Sequence, residues 1–282
     1  MKPKKNKALN LLKYAKDYLS DKNIQDSDLE AKHIVSFVLD INHSDLFLNN
    51  SLKYHFIDFI KAKRMLKKRV KGMPLQYILK EQEFYGLKLY VDKRVLIPRS
   101  ETELLVEKAL NHAKEFKSPK ILDLCTGSGC IAIAIEKNLS NAEVFASDKS
   151  KNALRIAKKN SKKNQAEVTF YKSDLLKDID KSFDLIVSNP PYINKEDYNM
   201  LDKKVLDYEP KLALLGGDDG MDYIEIISKQ AKQKLREKGY LLLEIGCDQK
   251  AITCECLKKY GYKDIRAFAD YSNHDRIVVG RK

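Results

Sequence analysis

Ile121-Leu122-Asp123-Leu124-Cys125-Thr126-Gly127-Ser128-Gly129 is the stretch on which the fold turns. Lys120–Leu124 reads as an apolar strand with an acid near its end. Two glycines follow, which let a backbone turn sharply and approach a ligand closely. A helix over 131–138 is expected directly after them. Outward from this unit the alternation continues. Strands are expected at 144–147, 168–171, 184–188, 240–245, 264–268 and 276–280. Helices are expected from 101 to about 115 and over 152–160, 221–238 and 250–260. Strand–helix alternation of this kind implies an α/β fold, a parallel sheet with helices on both faces. Ligands of such sheets bind beyond the carboxyl ends of the strands.

The loop itself narrows the ligand. A dinucleotide fingerprint carries a third glycine where Ala132 stands. The Asp123 carboxylate suits a positively charged amino acid head better than a pyrophosphate, and S-adenosylmethionine has such a head together with a sulfonium. The next strand ends at Asp148, about 20 residues on, where a carboxylate can accept both ribose hydroxyl hydrogens of an adenosine. The competing role for Asp148 is N-cap of the following helix. Asp174, after the third strand, stands where adenine is usually contacted, and it too can be read as a cap.

Phe183-Asp184-Leu185-Ile186-Val187-Ser188-Asn189-Pro190-Pro191-Tyr192 carries the chemistry. An apolar strand runs straight into two prolines, which remove two N–H donors and restrict the backbone. The Asn189 side-chain oxygen and the Pro190 carbonyl can then accept both hydrogens of one –NH₂ group. Such acceptors, set before reaction, favour developing positive charge on an amide or nucleobase nitrogen whose lone pair is delocalised. The Tyr192 ring can cover the planar group. The bland alternative is a rigid strand-to-loop corner.

Residues 1 to about 75 read as helices. Leu11, Leu12, Ala15, Tyr18 and Leu19 recur at helical spacing, and Asp26-Ser27 precedes a second run with Ile34, Val35, Val38 and Leu39 inward. Ile57, Ile60, Arg64, Lys67 and Lys68 lie along a third helix that stops before Gly72 and Pro74. Phe84-Tyr85-Gly86-Leu87-Lys88-Leu89-Tyr90-Val91 has the composition of a hairpin and is the expected interdomain connection.

The formal net charge is +13, and residues 1–80 hold 17 Lys and Arg against 8 Asp and Glu. This basic third is open to two readings, contact with nucleic acid or a lysine-rich composition. No stretch approaches the ~20 apolar residues of a membrane span, and the basic N-terminus lacks the apolar core of a secretory signal, so the cytoplasm is expected. The five cysteines form no C-x-x-C pair and the five histidines are scattered, so neither a disulfide framework nor a metal is expected.

These residues resemble the release factor glutamine methyltransferase family (HemK/PrmC type). Before the core, Gly72-Met73-Pro74-Leu75-Gln76-Tyr77, Glu83-Phe84-Tyr85-Gly86 and Leu96-Ile97-Pro98-Arg99-Ser100-Glu101-Thr102-Glu103 are similar to family segments. After it, so are Tyr208-Glu209-Pro210, Ala213-Leu214 with Gly217-Asp218-Asp219-Gly220, Leu243-Glu244-Ile245-Gly246 and Asp275-Arg276-Ile277. The resemblance implies a seven-stranded, mostly parallel class I methyltransferase (Rossmann-like) sheet, its last strand antiparallel, with a small N-terminal helical domain. The expected layout is a substrate-binding helical domain over 1–80, a hairpin linker over 81–98 and an S-adenosylmethionine-dependent methyltransferase domain over 99–282.

It further implies N5-methylation of the glutamine in the Gly-Gly-Gln loop of class 1 peptide chain release factors, with S-adenosylhomocysteine as product and no nucleic acid required. The family's cofactor loop maps to Cys125, Thr126, Gly127, Ser128 and Gly129, its ribose acid to Asp148, and its substrate segment to Asn189, Pro190, Pro191 and Tyr192. Asn189 is also expected beside the cofactor. An adenine-side position that is often aromatic in the family is Leu175 here, and the family's proline after Ile-Pro-Arg is Ser100. Arg99, Glu101 and Glu103 are expected either to charge a helix start or to stand at the rim of the site. Glu209-Pro210 and Gly216-Gly217 are open to a reading as plain turns. Two rival functions remain: N6-adenine methylation of DNA or RNA by the same Asn-Pro-Pro-Tyr chemistry, and a non-catalytic cofactor-binding protein that docks on the ribosome or a factor.

Overall fold

In the computed structural model, residues 6–49 and 51–282 are described. The first five residues of the basic N-terminal third lie outside them, as does Asn50. The chain divides into two compact units, Met1–Lys80 and Glu81–Lys282.

The first unit is helical, with α1 (Ala8–Ser20), α2 (Ser27–Leu39), α3 (Asp45–Leu48), α4 (Phe56–Val70) and α5 (Leu75–Leu79). Leu11, Ala15 and Leu19 of α1, spaced four apart, pack with Ala31 of α2 and with Ile34 and Val35, which follow it by three and four residues as one helix face requires. The inward face of α4 is Phe59, Ala62 and Leu66, while Ile57, expected on the same helix, is 54% exposed. Arg69 joins α4 to α2 through a two-point ion pair with Glu30, at 2.7 and 2.9 Å.

The second unit opens with the hairpin β1 (Gln82–Phe84) and β2 (Leu87–Leu89). Tyr85 (φ +49°) and Gly86 (φ +74°) both turn left-handed, as a two-residue turn between twisted antiparallel strands demands. Next come α6 (Thr102–Ala113), β3 (Lys120–Leu124), α7 (Cys130–Asn138), β4 (Glu143–Asp148), α8 (Lys151–Lys163), β5 (Val168–Lys172) and β6 (Phe183–Ser188). Two short helices, α9 (Lys195–Met200) and α10 (Lys203–Tyr208), and a 3₁₀ turn at Lys211–Ala213 precede α11 (Asp222–Lys234). The chain closes with β7 (Leu235–Glu244), α12 (Lys250–Lys259), β8 (Lys263–Ala269) and β9 (Asp275–Arg281).

The seven strands of the main sheet run in the order β5-β4-β3-β6-β7-β9-β8. The first five are parallel, and β9 is antiparallel to both of its neighbours. Successive residues of a strand point to opposite faces. Ile121, Val187 and Leu242 therefore pack under α6 and α7, while Leu122, Ile186 and Leu241 pack under α11 and α12. Burial on both faces explains why these strands read as unbroken apolar runs.

One expected boundary is corrected. The helix over 221–238 ends at Lys234, because Leu235 already pairs with Phe183. The register then slips so that Tyr240 pairs with Leu185, with Lys238 left-handed (φ +66°) at the bulge. Among the described residues no helix is long and apolar enough to cross a membrane.

Candidate active site

Because β3 is flanked by β4 on one side and β6 on the other, a crevice opens beyond the carboxyl ends of these three strands. Its floor is the loop after β3. Cys125 (φ +63°), Gly127 (φ +54°) and Gly129 (φ +83°) are all left-handed, so the chain recoils on itself before α7. Gly129 must also be small, since a Cβ there would lie 3.1 Å from the Ala157 Cβ of α8. Asp123 braces the loop from below: its Oδ2 accepts from Thr126 Oγ1 (2.5 Å) and from the Ala132 N–H (3.1 Å). Burial pushes this carboxyl up to about 7. Buried Asn160 donates to the Ser128 and Tyr90 carbonyls, both at 2.9 Å, tying the loop to the end of the hairpin.

Asp148 ends β4 and is not a helix cap. Its carboxylate accepts from the Gly127 N–H (2.9 Å) and the Ser150 N–H (2.8 Å), while Ser150 Oγ caps α8 by accepting from Ala153. Burial raises its carboxyl above the usual range.

An open cavity lies above this floor. Of the residues singled out in the sequence, Cys125, Gly127, Asp148, Asp174, Leu175, Asn189 and Pro191 line it. Asp123, Thr126, Ser128 and Gly129 lie outside that lining, and so do Pro190 and Tyr192. Asp174 pairs with Lys149 (3.3 Å) and Lys177 (3.2 Å), and the Lys177 hydrogen bond leads in holding it below the usual carboxylate range. Val95, Leu96 and Tyr223 also line the cavity. Their signal was weak: an apolar pair before Ile-Pro-Arg, and one half-buried tyrosine in the first turn of α11. Tyr223 brings an aromatic ring to a cavity where Leu175, itself left-handed (φ +55°), has none.

The Asn-Pro-Pro-Tyr corner at the end of β6 is held from several sides. Ser188 Oγ donates to the Leu124 carbonyl (2.7 Å), locking the ends of β6 and β3 together. Asn189 Nδ2 donates to Thr102 Oγ1 (3.1 Å), and the Tyr192 hydroxyl donates to Glu244 Oε1 (3.4 Å). Gln249 Nε2 donates to the Tyr192 carbonyl (2.9 Å). Gly216 packs directly on the corner, where a Cβ would sit 2.7 Å from the Pro191 carbonyl oxygen. Glu209 is more than a turn residue: its buried carboxylate accepts from Arg99 (2.6 Å) and the Ile97 N–H (3.3 Å). Glu103 accepts from the Tyr85 N–H (2.8 Å) and so serves the hairpin turn.

Thr102, Glu244 and Gln249 had no role assigned from sequence. The signal for Glu244 was an acid at an apolar strand end, as at Asp123. Glu244 is 2% exposed, and burial pushes its carboxyl up to about 7. Burial, followed by the Glu244 charge, raises the Tyr192 phenol. Among the described residues no three His, Cys, Asp or Glu side chains come together to hold a metal, and all five cysteines are free.

The residues present fit S-adenosylmethionine. The cavity is lined mainly by apolar side chains with a few polar groups among them, as small-molecule sites are. The Asp148 carboxylate opens on it as an acceptor for hydroxyls, and Val95, Leu96, Leu175 and Tyr223 supply apolar surface for a flat base.

Comparison with known proteins bears on both units. Residues 10–79 match the PrmC N-terminal domain, and residues 100–207 match the methyltransferase small domain. The chain is 36% identical over 272 residues to a release factor glutamine methyltransferase of Geobacter sulfurreducens, covering 96% of this chain and 95% of that one. It is likewise 36% identical over 276 residues to one of Buchnera aphidicola subsp. Acyrthosiphon pisum, covering 97% and 99%. The crystal structure of a methyltransferase from Pyrococcus furiosus shares the fold, with a TM-score of 0.52 at 18% identity over 71% of this chain and 90% of that one. With relatives of this similarity matching from end to end, the chain belongs to the release factor glutamine methyltransferase family.

Proposed function

We propose that the protein methylates the N5 amide nitrogen of the glutamine in the Gly-Gly-Gln motif of class 1 peptide chain release factors, in the cytoplasm, using S-adenosylmethionine and releasing S-adenosylhomocysteine. The observation that carries this reading is that Asn189 and Pro191 of the corner line the same cavity as Asp148 and Gly127 of the glycine loop. The substrate nitrogen and the cofactor would thus share one crevice.

In this reading Asp148 holds the ribose hydroxyls, Leu175 and Tyr223 flank the adenine, and the loop from Cys125 to Gly129 carries the amino acid end. When bound, S-adenosylmethionine supplies an electrophilic methyl on a sulfonium. The chain's own part is to position a poor nucleophile. Asn189 Nδ2 is engaged by Thr102, which leaves Asn189 Oδ1 as the acceptor for one amide hydrogen. The Pro190 carbonyl takes the other. Two acceptors on one –NH₂ favour pyramidal nitrogen and its developing positive charge. Orientation of this kind is worth several of the ~7–11 kcal/mol available from holding reactants in line. The methylated nitrogen is strongly acidic, so its proton leaves without a dedicated base. Residues 1–80 serve as the substrate-binding unit, 81–98 as the linker and 99–282 as the catalytic domain.

The test is transfer of labelled methyl from S-adenosylmethionine to purified release factor, or to total DNA and RNA. Label on the release-factor glutamine is expected; label on nucleic acid alone overturns the reading in favour of the adenine chemistry. Asn189→Ala should lower turnover ~10²–10³-fold, the usual cost of one such group, while cofactor affinity stays nearly unchanged.

A further inference from the structure

The corner works only if the Asn189 amide faces the right way. With nitrogen and oxygen exchanged, Asn189 would present donors to a substrate –NH₂ that is itself a donor. The geometry points to a positioning relay, Glu244 to Thr102 to Asn189, in which a buried carboxylate fixes the orientation of the Asn189 amide and of the Tyr192 ring. This inference rests on the methyl-transfer reading above.

The relay follows from donor and acceptor capacity. An ionised carboxylate only accepts. Glu244 Oε1 accepts from the Tyr192 hydroxyl at 3.4 Å, and its buried Oε2 has no partner of its own; the relay assigns the hydrogen of the neighbouring Thr102 hydroxyl to that oxygen. The Thr102 oxygen then has only lone pairs left for Asn189, and Nδ2 is the one group on that side chain that can meet them, at 3.1 Å. The polarity is thereby carried from the end of β7 through the first residue of α6 to the end of β6. Thr102 and Glu244 are each 2% exposed, so no bulk water competes for these bonds. The charged groups facing Glu244 are Arg276 on β9, which favours its ionised form, and Glu101 before α6, which opposes it. Neither Thr102 nor Glu244 lines the cavity, so the two act through Asn189 and Tyr192 and not on the substrate.

The experiment compares Thr102→Val, Thr102→Ser and Glu244→Gln at pH 8, where Glu244 is ionised, with unfolding curves checking that each variant is folded. Thr102→Val should lower kcat ~10²-fold, the cost of a misplaced reacting group, with the KM for release factor and the Kd for S-adenosylhomocysteine held within about threefold. Thr102→Ser should restore kcat to within about threefold of wild type, and Glu244→Gln should lower it at least ~10-fold. In an Asn189→Ala background Thr102→Val should cost less than about twofold more, because the amide it orients is gone. A Thr102→Val kcat near wild type, or losses that multiply in the double variant, overturns the relay.

Selective ¹⁵N-asparagine labelling separates this from the choice of substrate. The Asn189 Nδ2 hydrogens should exchange slowly in the wild type and fast in both Thr102→Val and Glu244→Gln. Slow exchange in both variants refutes the relay. A wild type that leaves release factors unmethylated, yet shows this protection and its loss, refutes the methyl-transfer reading and supports the relay.

Discussion

Gly216→Ala probes the corner without removing any polar side chain. Gly216 is not in the left-handed region, so alanine costs nothing in backbone conformation and its whole effect is contact. The added Cβ would lie 2.7 Å from the Pro191 oxygen, 2.8 Å from the Gly220 oxygen and 2.8 Å from the Tyr192 Cα. All three are main-chain atoms, two of them within the Asn-Pro-Pro-Tyr segment. Ordinary contact begins near 3.4 Å, so the corner and the 216–220 loop must separate by about 0.7 Å. Overpacking of this kind costs ~1–3 kcal/mol of stability, and a displacement approaching 1 Å of a reacting group costs ~10²-fold in rate. The expected result is therefore a folded, mildly destabilised protein whose kcat falls ~10²-fold while its affinity for S-adenosylhomocysteine falls much less. Turnover on release factor, calorimetric cofactor binding and urea unfolding measure the three quantities. Wild-type turnover in a variant destabilised by that amount would refute the idea that the corner's placement limits catalysis. Cofactor affinity lost in step with kcat would place the corner in cofactor binding instead.

Three further outcomes are expected. Tyr223→Ala should raise the cofactor Kd about tenfold, the value of one aromatic contact near 1.4 kcal/mol, with kcat preserved at saturation; an unchanged Kd would remove Tyr223 from the adenine side. Asp148→Asn should raise that Kd ~10-fold or more, since hydrogen bonds to a charged acceptor are worth ~1.5–3 kcal/mol, and binding of the free nucleoside should weaken in parallel if ribose is the partner. The third concerns pH. The Asp123 carboxyl is near 3.8 unfolded and about 7 folded, so between these values the folded state holds the extra proton. Stability from this group is full at the acidic end and falls as pH rises from about 4 to 7. Asp123→Asn should flatten that fall in urea titrations, and identical slopes for variant and wild type would show the carboxyl to be ordinary.

Much of the fold was legible in the chain because its sheet is buried on both faces. Ile121-Leu122 and Leu185-Ile186-Val187 leave no alternative to central strands, and the paired Tyr85-Gly86 announces a hairpin. The end of α11 was not legible. Arg236-Glu237-Lys238 reads as the polar end of a helix, and only pairing of Leu235 with Phe183, more than fifty residues away, makes it strand. The site divides in the same way. Cys125 to Gly129, Asp148 and Asn189 to Tyr192 lie at strand ends, where the topology alone brings them together. Thr102 and Tyr223 lie in the first turns of ordinary helices and Gln249 just before one, and no neighbouring residue reveals what each side chain touches.

Local chemistry thus specified the strands, the left-handed glycine loop and the proline corner, since each depends on backbone freedom and burial within a few residues. The direction of the Asn189 amide, the ion pair that fastens Glu209 to Arg99 and the close seat of Gly216 on Pro191 depend on groups 25 to 110 positions apart. Such distances are closed only by packing, so these features belong to the tertiary structure.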